Sequence, residues 1–303
     1  ETTNPGRILV VLKAFIRAMR PVQWVKNVFV LAPLVFGLRL TDPRSLMLSA
    51  IAFALFCLIS SAVYFLNDLS DIEADQRHPT KRFRPIASGE LPVEVARPGM
   101  VGLVALALGL GVIVDIRVAL VLLGYFVLNV AYTTQLKKVA FLDIGCIALG
   151  FLLRVLAGGL AIDVKVSGWL LACTFLLASL LALGKRKHEL SVVMRDGKTD
   201  GTRAVLENYV DAHIDWALRI LTLVTTASYA AYALAPSTSA HFGTDKLAWT
   251  LPFVVVGLAR FFQLVNQRED ARSPTDMMVR DVPFLANMAG YVAIIMPMIY
   301  FQW

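Results

Sequence analysis

The feature that most constrains this chain is a series of nine apolar runs, each close to the length that crosses a bilayer. A helix needs about 20 predominantly apolar residues to span the hydrocarbon core, where every backbone polar group must be bonded within the chain. The sequence therefore predicts an all-α integral membrane bundle of nine transmembrane helices. The runs cover residues 22–38, 45–66, 98–114, 117–131, 141–161, 167–183, 214–235, 247–265 and 283–302.

The composition supports this assignment. Apolar residues make up 57% of the chain and charged residues 17%, whereas soluble domains have roughly 45–50% and about 25%. No Pro-, Gly- or Ser-rich linker divides the sequence. We therefore predict a single transmembrane domain over residues 1–303, in which 1–20 is an interfacial segment. Membrane lipids are expected as partners and nucleic acid is not.

The charged residues indicate the orientation in the membrane. Alternate connectors are rich in Lys and Arg, whereas the intervening ones carry only five of the 29. The positive-inside rule places the basic connectors in the cytoplasm. The segment Ile8–Met19 mixes apolar and basic residues, which predicts an amphipathic helix on the anionic leaflet. We expect a multi-pass protein of the plasma (inner) membrane, with its active site facing the cytoplasm.

An acidic motif, N-D-x-x-D-x-x-x-D, follows the second apolar run. It consists of Asn67, Asp68, Asp71 and Asp75. Spacings of three and four place the carboxylates on one face of a helix, where like charges repel unless a cation lies among them. Hard oxygen ligands suit Mg²⁺ bound together with a substrate diphosphate. A solvated acidic extension of the helix is the alternative interpretation.

A basic run follows the acidic motif, and it consists of Arg77, Lys81, Arg82 and Arg84. Taken alone, such a run is typical of a positive-inside anchor. Beside the carboxylates, it forms the second half of a metal-diphosphate site, in which cations bind the phosphate oxygens. The pairing of the two runs therefore favours phosphate chemistry.

The combined pattern resembles the UbiA superfamily of intramembrane prenyltransferases. The resemblance rests on Arg20-Pro21-x-x-Trp24-x-Lys26-Asn27, on the acidic motif, and on the H-P-x-K-R-x-R-P-I-A-S-G sequence that begins at His78. It implies a UbiA-type helical bundle with a Mg²⁺-dependent site under cytoplasmic cap loops, and an opening for a long isoprenoid. On this basis Asn67, Asp68, Asp71 and Asp75 are the expected metal ligands, and the three Asp are the expected catalytic residues.

One departure from the family pattern is informative. Members that use a prenyl diphosphate and an aromatic acceptor carry a second Asp-rich motif, where this chain has the basic sequence G-K-R-K-H-E from Gly184 to Glu189. This resembles the actinobacterial branch that transfers phosphoribosyl from phosphoribosyl diphosphate to a polyprenyl (decaprenyl) phosphate. That reaction leads to decaprenyl-phospho-arabinose for cell-wall arabinan. Lys185, Arg186 and Lys138 are then expected to bind phosphate, with Glu189 orienting a cation or contacting a ribose hydroxyl. Asp196 and Asp200 are interpreted as a loop cap.

Further polar residues lie at or within the apolar runs. The expected substrate-binding set includes Lys26, Asn27, Tyr132, Lys137 and Arg154. Lys26 alternatively extends to the membrane interface, and Lys137 and Lys138 alternatively enforce topology. An arginine within a span is costly, so Arg154 either contacts the acceptor phosphate or pairs with an acid such as Asp143.

Two other functions stay open from the sequence. An aromatic prenyltransferase of quinone synthesis shares the fold but would need acidic residues where the basic sequence lies. A non-enzymatic lipid transporter would more often have internal repeats and broken helices at the midplane. Self-association is a further expectation, through small-residue faces such as Ala157-Gly158-Gly159.

Overall fold

A computed structural model describes residues 5–196, 211–267 and 277–301. Within these ranges the chain forms helices joined by turns, with no β-strand. The predicted all-α class is therefore confirmed. The α-helices are α1 (Pro5–Ala18), α2 (Ala32–Phe36), α3 (Pro43–Ser70), α4 (Ile72–Arg77), α5 (Val93–Val114), α6 (Ile116–Thr134), α7 (Leu142–Ala161), α8 (Gly168–Asp196), α9 (Asp211–Leu234), α10 (Pro236–Phe242), α11 (Leu251–Val265) and α12 (Val282–Phe301).

Among the described residues, eight helical segments are long and apolar enough to cross a membrane. They correspond to α3, α5, α6, α7, α8, α9, the segment Lys246–Val265 and α12, which match eight of the nine predicted crossings. The remaining run is the shorter apolar stretch Pro21–Phe36, formed by a 3₁₀ helix over Pro21–Leu31 and then α2. The chain is a multi-pass membrane protein, and the count of nine stays a prediction.

The chain divides into two compact units. Unit 1 contains residues 1–137 and 150–166, and unit 2 contains 138–149 and 167–303. The boundary falls within α7, so this helix contributes its first half to unit 2 and its second half to unit 1. The single domain over 1–303 stays a prediction.

Helix α3 is the centre of unit 1. Its buried residues Phe56 and Ile59 pack with Val30, Leu122 and Ala157 in one apolar cluster. Its other end contributes Ala62 and Phe65 to a second cluster, which also includes Ile86 and Leu91 from the segment after α4. The middle and the second half of α3 are therefore fixed by apolar contacts, and the second cluster includes Phe65, three residues before Asp68.

Helix α1 is amphipathic, as the sequence predicts. Ala14 and Ala18 are buried against the second cluster of unit 1. The opposite face leaves large apolar side chains about half exposed, namely Ile8, Leu9, Leu12 and Ile16. This arrangement is typical of a helix in the membrane interface with its exposed apolar face in lipid, and that location of α1 stays a prediction.

The small residues near the end of α7 allow close packing within unit 1. A Cβ added at Gly158 would lie 1.8 Å from the carbonyl oxygen of Val30, and one at Gly159 would lie 2.3 Å from Val166. These glycines therefore let the 3₁₀ helix over Pro21–Leu31 and the segment after α7 approach closely. The face expected to mediate self-association is used inside unit 1, and oligomerisation itself stays a prediction.

Unit 2 has its own apolar core. Leu180 and Leu183 of α8 pack with Ile214 and Leu218 of α9 and with Phe261 of α11. At Gly184 an added Cβ would lie 2.5 Å from the Phe261 ring, so the basic sequence of α8 begins at a position where two helices touch.

We predict that Gly158→Ala destabilises the protein. Its Cβ requires a backbone shift away from Val30, and overpacking of this kind costs roughly 1–3 kcal/mol. The matched control is Gly145→Ala on the same helix, where an added Cβ meets nothing within 4 Å and the higher helix propensity of Ala is the only expected effect. Thermal unfolding in detergent measures both, and equal midpoints for the two variants would contradict the packing argument.

Candidate active site

The acidic motif lies where α3 ends. Asp71 leaves the helical conformation (φ −109°, ψ 17°), and α4 begins at the next residue. The prediction of one uninterrupted helical row of carboxylates is therefore wrong. The break places Asp68 and Asp75 in buried positions and leaves Asp71 partly exposed. Separating Asp71 from the other two reduces the repulsion that a continuous row would create.

Asp68 is a buried carboxylate with two arginine partners. Arg20 and Arg84 both donate to its Oδ1 atom, Arg84 over 3.2 Å. The side chain of Asp68 is 2% exposed, and each arginine is roughly one quarter exposed. An unpaired buried carboxylate would cost several kcal/mol, so the two guanidinium groups make the burial of Asp68 tolerable.

The other members of the acidic motif have separate partners. Arg84 also donates to Asp75 over 2.6 Å, so that one guanidinium nitrogen joins two buried carboxylates. Lys137 donates to Asp71 over 3.1 Å. Asn67 accepts a hydrogen bond from the hydroxyl of Thr133. The structure thus brings Asp68, Asp75 and Arg84 together, and it places Lys137 beside Asp71.

The sequence P-I-A-S-G fixes the position of Arg84. Ile86 and Ala87 are buried, and Gln76 donates to the carbonyl of Ala87 over 3.2 Å. Gly89 then takes a positive φ of 78°, which an L side chain rarely adopts. Because the residues after Arg84 are anchored in this way, its side chain is held against the acidic motif.

Arg20 belongs to the site although it is missing from the predicted site residues. Its backbone is left-handed (φ 54°), and its guanidinium lies 4.9 Å from the centre of the Tyr64 ring. Trp24 donates to the hydroxyl of Ser61, which donates to the carbonyl of Met19, and these bonds tie the turn around Arg20 to α3. Such a backbone costs roughly 1–3 kcal/mol. The signal was available in the R-P-x-x-W motif, of which Arg20 is the first residue.

His78 shapes the start of the basic run. Its Nδ1 atom accepts backbone N–H groups from Thr80 over 3.2 Å and from Lys81 over 3.3 Å. Burial lowers the pKa of His78, and the charge of Lys81 lowers it further. A neutral imidazole suits this role, since only the neutral form has a ring nitrogen that accepts.

The other cations of the basic run have different surroundings. Arg77 is exposed and lies 3.6 Å from Glu73. Arg82 is exposed and stacks 4.8 Å over the Phe83 ring. Lys81 is partly buried in the short 3₁₀ helix Lys81–Phe83. Arg84 is the member of the basic run for which the described residues show ion pairs with Asp68 and Asp75.

Arg154 occupies a second polar cluster in unit 1, deeper in the bundle. It donates to Asn27 over 2.8 Å, to the hydroxyl of Tyr125 over 2.9 Å and to the carbonyl of Gly150 over 2.9 Å. Three aromatic rings surround the guanidinium at 4.8–5.6 Å. Among the described residues no carboxylate pairs with it, so the alternative of a pair with Asp143 is wrong.

Asn27 is part of this deeper cluster and does not reach the acidic motif. Its amide donates to Ser60, which precedes Asp68 by eight residues on α3, a rise of about 12 Å. Lys26 is exposed, and Tyr132 is partly buried. The motif residues of the first apolar run therefore fall into two environments.

The basic sequence of unit 2 is helical. The hydropathy pattern predicts that these residues lie in a connector between two spans. In the structure, α8 continues from Gly168 to Asp196 and includes Lys185, Arg186 and Glu189. Arg186 is fully buried, and it donates to Asp143 and to Glu189 over 2.6 Å each. The pairing with Glu189 at a spacing of three residues favours a continuous helix. Lys138 is exposed, and Asp200 lies outside the described residues.

The donor set of the acidic motif fits a hard cation. Oδ2 of Asp68 is buried and has no hydrogen-bond partner among the described residues, and such an orphaned acceptor calls for a ligand. Carboxylate and amide oxygens are suitable Mg²⁺ ligands. In the parts of the chain that the structure describes, no three acidic, Cys or His side chains are gathered closely enough to hold a metal. Arg84 lies between the two buried carboxylates instead.

Comparison with known proteins gives consistent relatives. The pattern of the UbiA prenyltransferase family matches residues 29–287. A decaprenyl-phosphate phosphoribosyltransferase of Corynebacterium glutamicum is 39% identical over 248 residues, which cover 79% of this chain and 73% of that protein. The same-named protein of Mycobacterium tuberculosis is 35% identical over 271 residues, covering 88% and 87%. A solved structure of a UbiA homolog from Archaeoglobus fulgidus, bound to DMAPP and Mg²⁺, has a TM-score of 0.69 and 18% identity, covering 92% of this chain and 99% of that one.

The helices and the paired charges at the end of α3 define a multi-pass membrane protein with a candidate phosphate-binding site. The chain belongs to the UbiA prenyltransferase family. The solved structure supports the fold alone at this level of identity, and the resemblance found in the sequence is confirmed.

We predict that Arg84→Gln lowers the free energy of unfolding by about 3 kcal/mol. The substitution removes the cation that Asp68 and Asp75 share, and the two buried carboxylates then repel each other. Mg²⁺ should then raise the midpoint of thermal unfolding more in this variant than in the wild type, since a metal ion can replace the lost charge. Arg77→Gln is the control, because its partner Glu73 and Arg77 itself are both more than 80% exposed. Identical responses to Mg²⁺ in the wild type and in Arg84→Gln would exclude the acidic motif as a cation site.

Proposed function

We propose that this chain transfers the 5-phosphoribosyl group from phosphoribosyl diphosphate to a polyprenyl phosphate. The observation that carries the proposal is the cluster in which Asp68 and Asp75 are paired with Arg20 and Arg84 at the end of a membrane helix. The choice of substrates is supported by the similarity to curated decaprenyl-phosphate phosphoribosyltransferases, at 35–39% identity over most of the chain.

The residues that would hold Mg²⁺ are Asp68, Asp71 and Asp75, with Asn67 as a neutral ligand. The unpaired Oδ2 of Asp68 supports this assignment. When bound, the metal neutralises part of the charge of the departing diphosphate. Arg84 joins Asp68 and Asp75 and would turn toward phosphate oxygens, for which a guanidinium has suitable geometry.

The reaction needs no general base. The bond from the anomeric carbon to the diphosphate breaks, and a bond to an acceptor phosphate oxygen forms, with no proton to remove from an acceptor that is already anionic. The task of the chain is to hold both substrates in line and to stabilise the negative charge that gathers on the leaving group. Arg20, Arg84 and Lys137 are cations already positioned for the second task. Attack opposite the diphosphate converts the α donor into a β product.

The basic residues of unit 2 divide into two roles in this proposal. Arg186 is committed to Asp143 and Glu189, so it orients Glu189 instead of leaving the helix to bind substrate. Lys185 and Lys138 bind a phosphate group of one of the substrates. For the other residues expected from the sequence to bind substrate, that role is kept as a proposal. They are Lys26, Asn27, Arg77, Lys81, Arg82, Tyr132 and Arg154.

The proposed setting is the plasma membrane, with the acidic motif facing the cytoplasm, where phosphoribosyl diphosphate is available. The positive-inside distribution of Lys and Arg supports this orientation. The product would supply the route to decaprenyl-phospho-arabinose and cell-wall arabinan.

The first test is a single-turnover assay in detergent with Mg²⁺, radiolabelled phosphoribosyl diphosphate and a polyprenyl phosphate. Label should enter the organic phase and diphosphate the aqueous phase, and EDTA should stop both. Transfer from a prenyl diphosphate to an aromatic acid instead would replace the proposed reaction with the quinone-type one while keeping the fold.

We predict that Asp68→Asn and Asp71→Asn each reduce turnover by at least roughly a hundredfold, the scale of losing one electrostatic contact to the transition state. The proteins should stay folded, since Asp75 still pairs with Arg84. Asp115→Asn is the control, because Asp115 caps α6 and pairs with Arg117 away from the acidic motif. Full activity in either Asp68→Asn or Asp71→Asn would end the metal-site assignment.

We predict that Arg186→Met and Lys185→Gln fail in different ways. Arg186→Met removes the ion pair of the fully buried Asp143, which should lower stability by about 3 kcal/mol, and adding Asp143→Asn should restore part of the loss. Lys185→Gln should keep the unfolding midpoint and raise one substrate KM roughly tenfold, as expected for one charge-assisted bond. Unchanged kinetics in Lys185→Gln would exclude substrate binding by Lys185 and leave it only a role in setting the membrane orientation.

A further inference from the structure

An open groove of about 780 Å³ lies on unit 1 between the end of α3 and the start of α5. This volume is within the ~300–1,000 Å³ of typical small-molecule sites. Its lining includes the apolar residues Leu66, Leu69, Met100 and Val101, and also Gly102, where an added Cβ would meet nothing within 4 Å. The lining of the groove is therefore mostly apolar.

One charged residue, Arg97, lines this groove. It is exposed, and among the described residues no carboxylate lies within ion-pair distance of it. By contrast, two other arginines of unit 1 have carboxylate partners: Arg17 pairs with Glu90, and Arg77 pairs with Glu73. A cation without a counter-ion at one end of an apolar groove is complementary to an amphiphile with an anionic head.

The contacts of α1 relate Arg97 to the expected membrane surface. A Cβ at Gly99 would lie 2.4 Å from the ring of Phe15, so α1 packs directly on α5 two residues beyond Arg97. The exposed apolar face of α1 is typical of a helix at the lipid interface. From this contact we infer that Arg97 lies near the headgroup level, with Met100 and Val101 further along the membrane-spanning helix α5.

We propose that this groove binds an anionic membrane phospholipid, with an acyl chain against Leu66, Met100 and Val101 and the phosphate at Arg97. The depth of Arg97 favours a lipid headgroup over a soluble phosphate. The unpaired positive charge favours an anionic over a zwitterionic headgroup, because each basic residue near an anionic surface adds a favourable electrostatic contribution. The proposal does not depend on the transfer reaction.

The test uses the full chain in native mass spectrometry, with phosphatidylglycerol and phosphatidylcholine of identical acyl chains as probes. The wild type should retain one phosphatidylglycerol with a preference of roughly fivefold or more, the contribution of one arginine near an anionic headgroup. Arg97→Gln should abolish the preference. Gly102→Leu should fill the groove and remove the bound lipid altogether.

Matched controls come from the same helix and from unit 2. Gly109→Leu lies on α5 in equally open space but outside the groove lining. Arg280→Gln removes an exposed arginine in unit 2. Both variants should keep the wild-type preference for phosphatidylglycerol.

The proposal would be overturned if the wild type retained the two lipids equally, or if the preference survived in Arg97→Gln. Displacement of the lipid by an equal amount of polyprenyl phosphate would assign the groove to the acceptor, and a change of oligomer mass in Gly102→Leu would assign it to a second copy. Unfolding midpoints of all variants show whether each is folded.

Discussion

The burial of the Asp68 carboxylate at the end of a membrane helix is the constraint on which unit 1 depends. A carboxylate removed from water must be paired, and the two partners of Asp68 come from opposite sides in sequence, Arg20 before α3 and Arg84 after it. Each partner is in turn held by other contacts, Arg20 by the turn bonded to Ser61 and Arg84 by buried Ile86. One charge thus organises both segments that flank the helix.

Arg154 represents the opposite solution to the same problem. Its charge is buried without a carboxylate, and it is stabilised by neutral acceptors and by the negative faces of aromatic rings. On α3, Ser61 accepts a hydrogen bond from Trp24, and Ser60 accepts one from Asn27, the residue that Arg154 contacts. Such an arrangement is expensive in a membrane and is kept where a polar interior is required. The first apolar run, a 3₁₀ helix over Pro21–Leu31, supplies Trp24 and Asn27 to these contacts.

The sequence predicted the features that depend on local composition. Eight of the spans followed from run length, because bilayer thickness sets the length of a helix. The break at Asp71 could not be predicted, since spacings of three and four also suit a continuous helix. The pairing of Arg186 with Asp143 was equally hidden, because 43 residues separate the partners. The role of Gly158 depends on a single carbonyl of Val30 that only the packing brings close.

The charges of the candidate site also limit what it accepts. Asp68, Asp71 and Asp75 face Arg20, Arg84 and Lys137, so three negative charges are balanced by three positive ones. A divalent cation alone would leave excess positive charge beside a low-dielectric interior, and a diphosphate alone would add negative charge beside buried carboxylates. Both imbalances are costly where screening is weak. A cation and a diphosphate that enter together nearly cancel, and the arginines that leave the carboxylates then find phosphate oxygens as new partners. In the proposed reaction, charge balance would therefore couple the binding of the metal to the binding of the donor at this site.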